Sequence, residues 1–151
     1  MSYNPFQSHE LWFPSAYRSD IERYVQKQSG GGANQSPDDS PFERMVDLWF
    51  LALCLAARTG KRVKVEDPHK FIQGDILARE PWRIELIELL AIADADSSEA
   101  LENPARCIDL ANEYVAAGLP ELLEMLKAGK AKPIWNLTDG VCDLLGSGGA
   151  R

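Results

Sequence analysis

Ser40-Pro41-Phe42-Glu43-Arg44-Met45-Val46-Asp47-Leu48-Trp49-Phe50-Leu51-Ala52-Leu53-Cys54-Leu55-Ala56-Ala57-Arg58-Thr59-Gly60 is the stretch that decides the fold. Ser40 is a strong N-cap residue, Pro41 suits the first helical position, and Glu43 stands three residues after the cap. Together they read as a capping box. The pattern predicts a helix over about 41–59, with Gly60 as its left-handed stop. Between Phe42 and Ala57 only Glu43, Arg44 and Asp47 are polar. A helix this apolar almost all round is packed on several sides, so it belongs at the centre of the fold. Its longest apolar run, Leu48 to Ala57, is ten residues. A membrane span needs about 20, so this is a core helix.

Downstream, Lys61-Arg62-Val63-Lys64-Val65 alternates basic residues with valines, the pattern of a short strand with one buried face. Phe71 to Ala78 reads as a second strand or an irregular crossing, which allows a small antiparallel β ribbon at about 61–78. Pro81 opens a helix to about Ala95, with Trp82, Leu86, Ile87 and Leu90 as its apolar stripe and Arg83, Glu85 and Glu88 outside it. Asn103-Pro104 is an N-cap followed by proline, and the next helix is expected to stop at Gly118. Pro120 then opens another helix, closed by Gly129. A last one, Ile134 to Leu145, contains Gly140, and the tail 146–151 is expected to be disordered. The fold class is therefore mainly α: a single small domain, 40–145, with four to five helices around the central one. Upstream, residues 1–28 carry Phe6, Leu11, Trp12, Phe13 and Tyr17 among prolines, with a two-turn helix expected over Asp20 to Lys27. Residues 29–39 are rich in Gly, Ser and Asn and read as a flexible linker. The N-terminal arm is thus tethered, to dock on the body or on a partner.

The 151 residues hold 16 Lys+Arg and 23 Asp+Glu, a net charge of −7, and 45% are hydrophobic. This is ordinary for one soluble globular domain. Acidity argues against a free-standing nucleic-acid binder, but the charge is unevenly spread. Residues 83–126 hold 2 basic and 10 acidic side chains, whereas residues 41–82 hold 7 basic and 6 acidic. The N-terminus has no basic start followed by an apolar stretch, so no secretory signal is read there. Three dispersed cysteines without a Cys-x-x-Cys pair fit reduced thiols in a cytoplasmic protein.

No catalytic set stands out. His9 and His69 are far apart and lack metal-ligand spacing, so neither metal nor cofactor is expected. Cys54 lies among leucines and reads as a core thiol. Cys107, near a helix start, also shares an apolar face. Gly30-Gly31-Gly32 has no strand before it and no lysine after it, so it is not a phosphate loop. Two charged groups remain as candidate binding surfaces. Arg58, Lys61, Arg62 and Lys64 fall within seven residues. They suit a phosphate backbone or an acidic partner, although lysine-guarded edge strands and helix C-termini also explain such residues. Glu85, Glu88, Asp109 and Glu113 are the candidate acidic face for a basic protein partner, against the plainer reading of solvated helix surfaces.

Several segments carry a family likeness. They are Pro41-Phe42-Glu43, Leu53 to Ala57, Arg58-Thr59-Gly60-Lys61-Arg62-Val63, Leu89-Leu90-Ala91-Ile92-Ala93, Ala111-Asn112-Glu113-Tyr114 and Ala116-Ala117-Gly118-Leu119. With them the chain resembles the small bacterial family called DNA phosphorothioation-associated protein 4, found beside the Dnd modification and defence genes. The likeness covers roughly 41–126. The linker, the aromatic N-terminal segment and the Trp135 segment depart from the pattern. The resemblance brings no catalytic residues. It implies a cytoplasmic, non-catalytic accessory protein of a DNA-modification or anti-phage defence system, acting through protein–protein contacts. The alternative is a DNA-contacting regulator that uses the basic patch at 58–64.

Overall fold

The computed structural model describes residues 3–26 and 36–149. Residues 1–2, residues 27–35, which include most of the linker expected over 29–39, and residues 150–151 lie outside them. The protein is a small, mainly helical domain. Strand β1 (Glu10–Pro14) leads through a 3-10 turn into α1 (Arg18–Tyr24), followed by the central helix α2 (Met45–Thr59). Strand β2 (Pro68–Gln73) and a 3-10 helix (Gly74–Arg79) precede α3 (Pro81–Ala95). A second 3-10 helix (Ser98–Glu102) leads to the long α4 (Pro104–Lys127), and α5 (Pro133–Gly149) closes the order.

The central helix is where its apolarity puts it. Val46, Leu48, Trp49, Phe50, Ala52, Leu53, Leu55 and Ala56 are all buried. Gly60 ends it in the left-handed conformation, φ 70°. Its start differs from expectation. The capping arrangement is displaced by four residues: Arg44 is the N-cap, and its backbone N–H donates to the Asp47 carboxylate at 3.2 Å. Ser40 instead donates from its hydroxyl to the Arg23 carbonyl. Phe42 exchanges backbone hydrogen bonds with Tyr24 and Gln26. Extended pairing with the N-terminal segment thus claims residues 40–42 before a helix can.

Helix α4 also corrects the sequence reading. It does not stop at Gly118, nor does a new helix begin at Pro120. One 24-residue helix runs through both. A Cβ built on Gly118 would fall inside the backbone carbonyl of Ala52. Glycine is there to let α4 cross α2 at backbone contact, not to end the helix. Pro120 removes one helical N–H, but Val115, Leu119, Leu122, Leu123 and Leu126 around it are buried. Their burial holds the helix together across the gap. Asn103 caps the start, accepting from the Arg106 N–H at 3.2 Å. At the far end, Asn136 donates to the carbonyls of Leu126 and Ala131, both at 3.0 Å, and so ties α5 to the end of α4. Helix α5 continues past Leu145 to Gly149, into the expected tail.

The β ribbon is real but differently built. Residues 61–65 form no strand, and Val63 is exposed. The Val63 N–H donates to the Glu113 carbonyl at 3.1 Å, so the segment lies as a strap on α4. The partner of β2 is β1, antiparallel, with an irregularity between Leu11 and Trp12. Leu11 and Phe13 enter the core, and Phe13 packs its ring on His69 and Phe71 at 5.1 and 5.4 Å. The other edge of β1 is closed by helix side chains. The Trp12 N–H donates to Asn112 Oδ1 at 3.0 Å, and its carbonyl accepts from Trp49 Nε1 at 3.1 Å. A two-stranded sheet is marginal alone, and here α2 and α4 supply what it lacks. The N-terminal segment therefore docks on the body, placing Phe6, Leu11, Phe13, Ile21, Tyr24 and Val25 in the common core.

Helix α3 turns a different face inward than its stripe suggested. Arg83, Ile84, Ile87 and Ala91 are buried, while Trp82 is exposed and Leu86 and Leu90 are half-buried. Among the described residues no helix is long and apolar enough to cross a membrane.

Gly118→Ala is expected to force α4 away from Ala52. Overpacking of this kind costs about 1–3 kcal/mol. The check is a thermal or urea melt, in which Gly118→Ala should lower the midpoint and Gly146→Ala, a site with open space around it, should not.

Candidate partner interface

The basic patch singled out from sequence makes its ion pairs with carboxylates outside the candidate acidic face. Arg58, in the last turn of α2, pairs with Glu121 of α4 at 3.5 Å. Arg62, in the strap, pairs with Asp94 at the end of α3 at 3.0 Å. Both pairs are solvent-accessible, so each contributes little to stability on its own. Their effect is geometric: two of the four cations are turned onto the acidic helices. Lys61 and Lys64 carry no ion pair among the described residues. Lys64 lines an open groove of about 360 Å³ together with Trp12, Val65, Arg106, Asp109 and Glu113.

The acidic candidates separate. Asp109 and Glu113, one turn apart on α4, face that groove, and Arg106 pairs with Glu113 at 3.1 Å. Asp109 and Trp12 also border a neighbouring groove of about 270 Å³, which His9, Glu10 and Lys70 help to line. Lys70 and Glu10 pair across the β1–β2 ribbon at 3.2 Å. On α3, Glu88 accepts a hydrogen bond from the Tyr3 hydroxyl at 3.0 Å, which keeps that hydroxyl protonated above its usual range. Glu85 is exposed on the outer side of α3. The α4 pair thus lines a groove of mixed charge, and the α3 pair lies outside its lining.

A third charged cluster escaped the sequence reading. Arg44 and Asp47 at the start of α2 meet Glu80 and Arg83 at the start of α3. Arg44 Nη2 lies 2.9 Å from Asp47 Oδ1 and 2.8 Å from Glu80 Oε1. Arg83 Nη2 lies 3.0 Å from the same Asp47 oxygen, and its Nη1 is 3.8 Å from Glu80 Oε2. The Arg83 guanidinium stacks over Phe50 at 4.9 Å, and Phe50 meets the Trp82 ring edge-on at 5.1 Å. Burial by itself would raise the Asp47 carboxyl pKa, but hydrogen bonds from Arg44 and Arg83 outweigh it and hold the group below its usual range. The only hint in the sequence is that Arg44 and Asp47 interrupt the apolar run, as Arg83 interrupts the start of α3. Nothing local says that they meet.

Cys54 and Cys107 are placed for packing, while Cys142 is exposed on α5. Burial pushes the pKa of both Cys54 and Cys107 up. Cys107 Sγ donates to the Ala100 carbonyl. His69 lies within β2, against Phe13. Among the described residues no three His, Cys, Asp or Glu side chains gather as metal ligands.

Because the folded pKa of Asp47 is depressed, its stabilising effect is complete above the ordinary carboxylate pKa and is lost as pH falls through the lower folded value. Asp47→Asn should therefore flatten the acid limb of the stability–pH curve below about pH 4. Urea melts at a series of pH values would check this; an unchanged acid limb would contradict the assignment.

One family model matches the chain over residues 33–140, more than half its length; it is described as DNA sulphur modification system-associated protein 4. The match runs beyond Leu126 and takes in the Trp135 segment, which the sequence comparison had set apart. Nothing among the curated proteins or the solved structures matches.

Proposed function

The chain belongs to the DNA sulphur modification system-associated protein 4 family, and on that premise we propose that it is a non-catalytic accessory protein of such a system. Its role is to hold another protein of the system, in the cytoplasm, rather than to transform a substrate. The observation that carries this reading is the way the charged side chains are used. Arg44, Asp47, Glu80 and Arg83 neutralise one another where α2 meets α3. Arg58, Arg62 and Arg106 are spent on Glu121, Asp94 and Glu113. Both inner thiols are held protonated by burial. What is left for an outside molecule is surface: the groove beside Trp12, Asp109 and Glu113, and the outer side of α3.

The same pairs weigh against the DNA-contacting alternative. A protein that neutralises several phosphates needs several uncommitted cations, and two of the four in the 58–64 patch already face carboxylates. Affinity capture of the tagged chain from a host with an intact DNA sulphur modification system tests the proposal. Another protein of that system is expected in the eluate, and its consistent absence would sink the accessory reading. A gel shift with duplex DNA at low salt is expected to be flat. A shift that vanishes in Arg62→Glu and Lys64→Glu would favour the regulator instead.

A further inference from the structure

Helix α3 carries two apolar seams. Ile84, Ile87 and Ala91 form the inner one and are buried. Trp82, Leu86, Leu89 and Ala93 form an outer one, at steps of four, three and four residues. With 3.6 residues per turn, the two seams lie roughly 160° apart around the helix. The inner seam is covered by the body. On the outer seam, Trp82 is 54% and Leu89 61% exposed and Ala93 is exposed, while Leu86, at its edge, is half-buried and packs against the core. Steps of four and three are the repeat with which one helix packs along another. Trp82 is also fixed in advance, its ring edge-on to Phe50 at 5.1 Å with the Arg83 guanidinium 5.4 Å away. A held aromatic ring beside leucines at helical spacing is the usual anchor of helix-on-helix recognition.

Charge selects the occupant. The charged side chains of α3 are Arg83, Glu85, Glu88 and Asp94. Arg83 and Asp94 are in ion pairs, and Glu88 accepts from Tyr3. Glu85, bordering the outer seam, has no ion pair among the described residues. A second copy of this face would set acid against acid. A helix with lysine or arginine beside its apolar stripe meets both the seam and its border.

We propose that the outer seam of α3 docks a basic amphipathic helix of a partner protein, with Trp82 and Leu89 as anchors and Glu85 as the charged contact. The proposal rests on the accessory-protein reading only for where that partner comes from. The binding chemistry can be tested apart from it. The probe is a labelled synthetic helix of about three heptads, with leucine at a and d and lysine at e and g. A second peptide carries glutamate in place of lysine. Fluorescence anisotropy with the full chain should show saturable binding of the lysine peptide, weakened by salt and absent for the glutamate peptide. Leu89→Glu should weaken it at least about tenfold with an unchanged melting curve, because Leu89 is exposed. Leu145→Glu, at an exposed position on α5, should bind like the unaltered chain. The proposal is overturned if the lysine peptide fails to bind, if both peptides bind alike, or if Leu89→Glu changes nothing. A concentration-dependent dimer abolished by Leu89→Glu would also overturn it, in favour of a second copy. In affinity capture from the host, equal recovery of system proteins by Leu89→Glu and the unaltered chain would remove the seam but keep the accessory role. Recovery by neither would remove that role and leave the peptide result standing.

Discussion

The backbone contact between α2 and α4 at Ala52 and Gly118 is the constraint from which the rest of the structure follows. Two helices can approach this closely only where one presents no side chain. Once they do, the leucines of α4 and the aromatic rings of α2 interlock along a common core. Every other element attaches to this pair. β1 hangs on Trp49 from one helix and Asn112 from the other. The strap at 61–65 rests on the Glu113 carbonyl, and α5 is held by Asn136 at the end of α4. A change that separates the pair loosens several attachments together, because each has one end on it.

What could be read from the sequence and what could not divides along locality. The central helix, its glycine stop, the Pro81 and Asn103-Pro104 starts and the helical class were all written in short stretches. The errors arose where a distant residue outbid a local rule. Gly118 and Pro120 spell a break, yet the fit of Gly118 against Ala52 and the burial of the leucines around it outweigh that preference. Ser40 and Glu43 spell a cap, but Tyr24 and Gln26 pair with residue 42 and move the helix start to Arg44. Lys61 to Val65 alternates like a strand, but β2 already has a partner in β1. The candidate site follows the same division. The charges of Arg58, Arg62, Asp109 and Glu113 were visible as charges, while the pairing of Arg58 with Glu121 and of Arg62 with Asp94 needed the tertiary fold. Trp82 was legible as apolar; that it faces outward was not.

The uneven charge of the chain acquires a physical meaning from these pairs. The basic stretch after α2 is folded back over the acidic helices, so part of the charge contrast is satisfied internally. Of the remaining acid, Glu85 stands beside the apolar side chains that α3 presents to the outside. A surface that is both apolar and acidic discriminates by two independent criteria. If α3 docks a partner as proposed, charge would disfavour nucleic acid and other acidic surfaces, and the apolar seam would disfavour basic molecules that lack an apolar stripe.

The double attachment of Trp12 also orders events in time. Strand β1 leaves the ribosome early, but the side chain that receives its amide lies a hundred residues further on. Its other anchor, Trp49, arrives sooner, yet β2 must also emerge before the strand has a ladder to join. Contacts this far apart in sequence form late and slow the search for the native state. Until α4 is complete, the Trp12 amide has no Asn112 to receive it and β1 is held only by β2 and Trp49. During synthesis the vulnerable part of this protein is therefore its beginning, and the last long helix is what makes it safe.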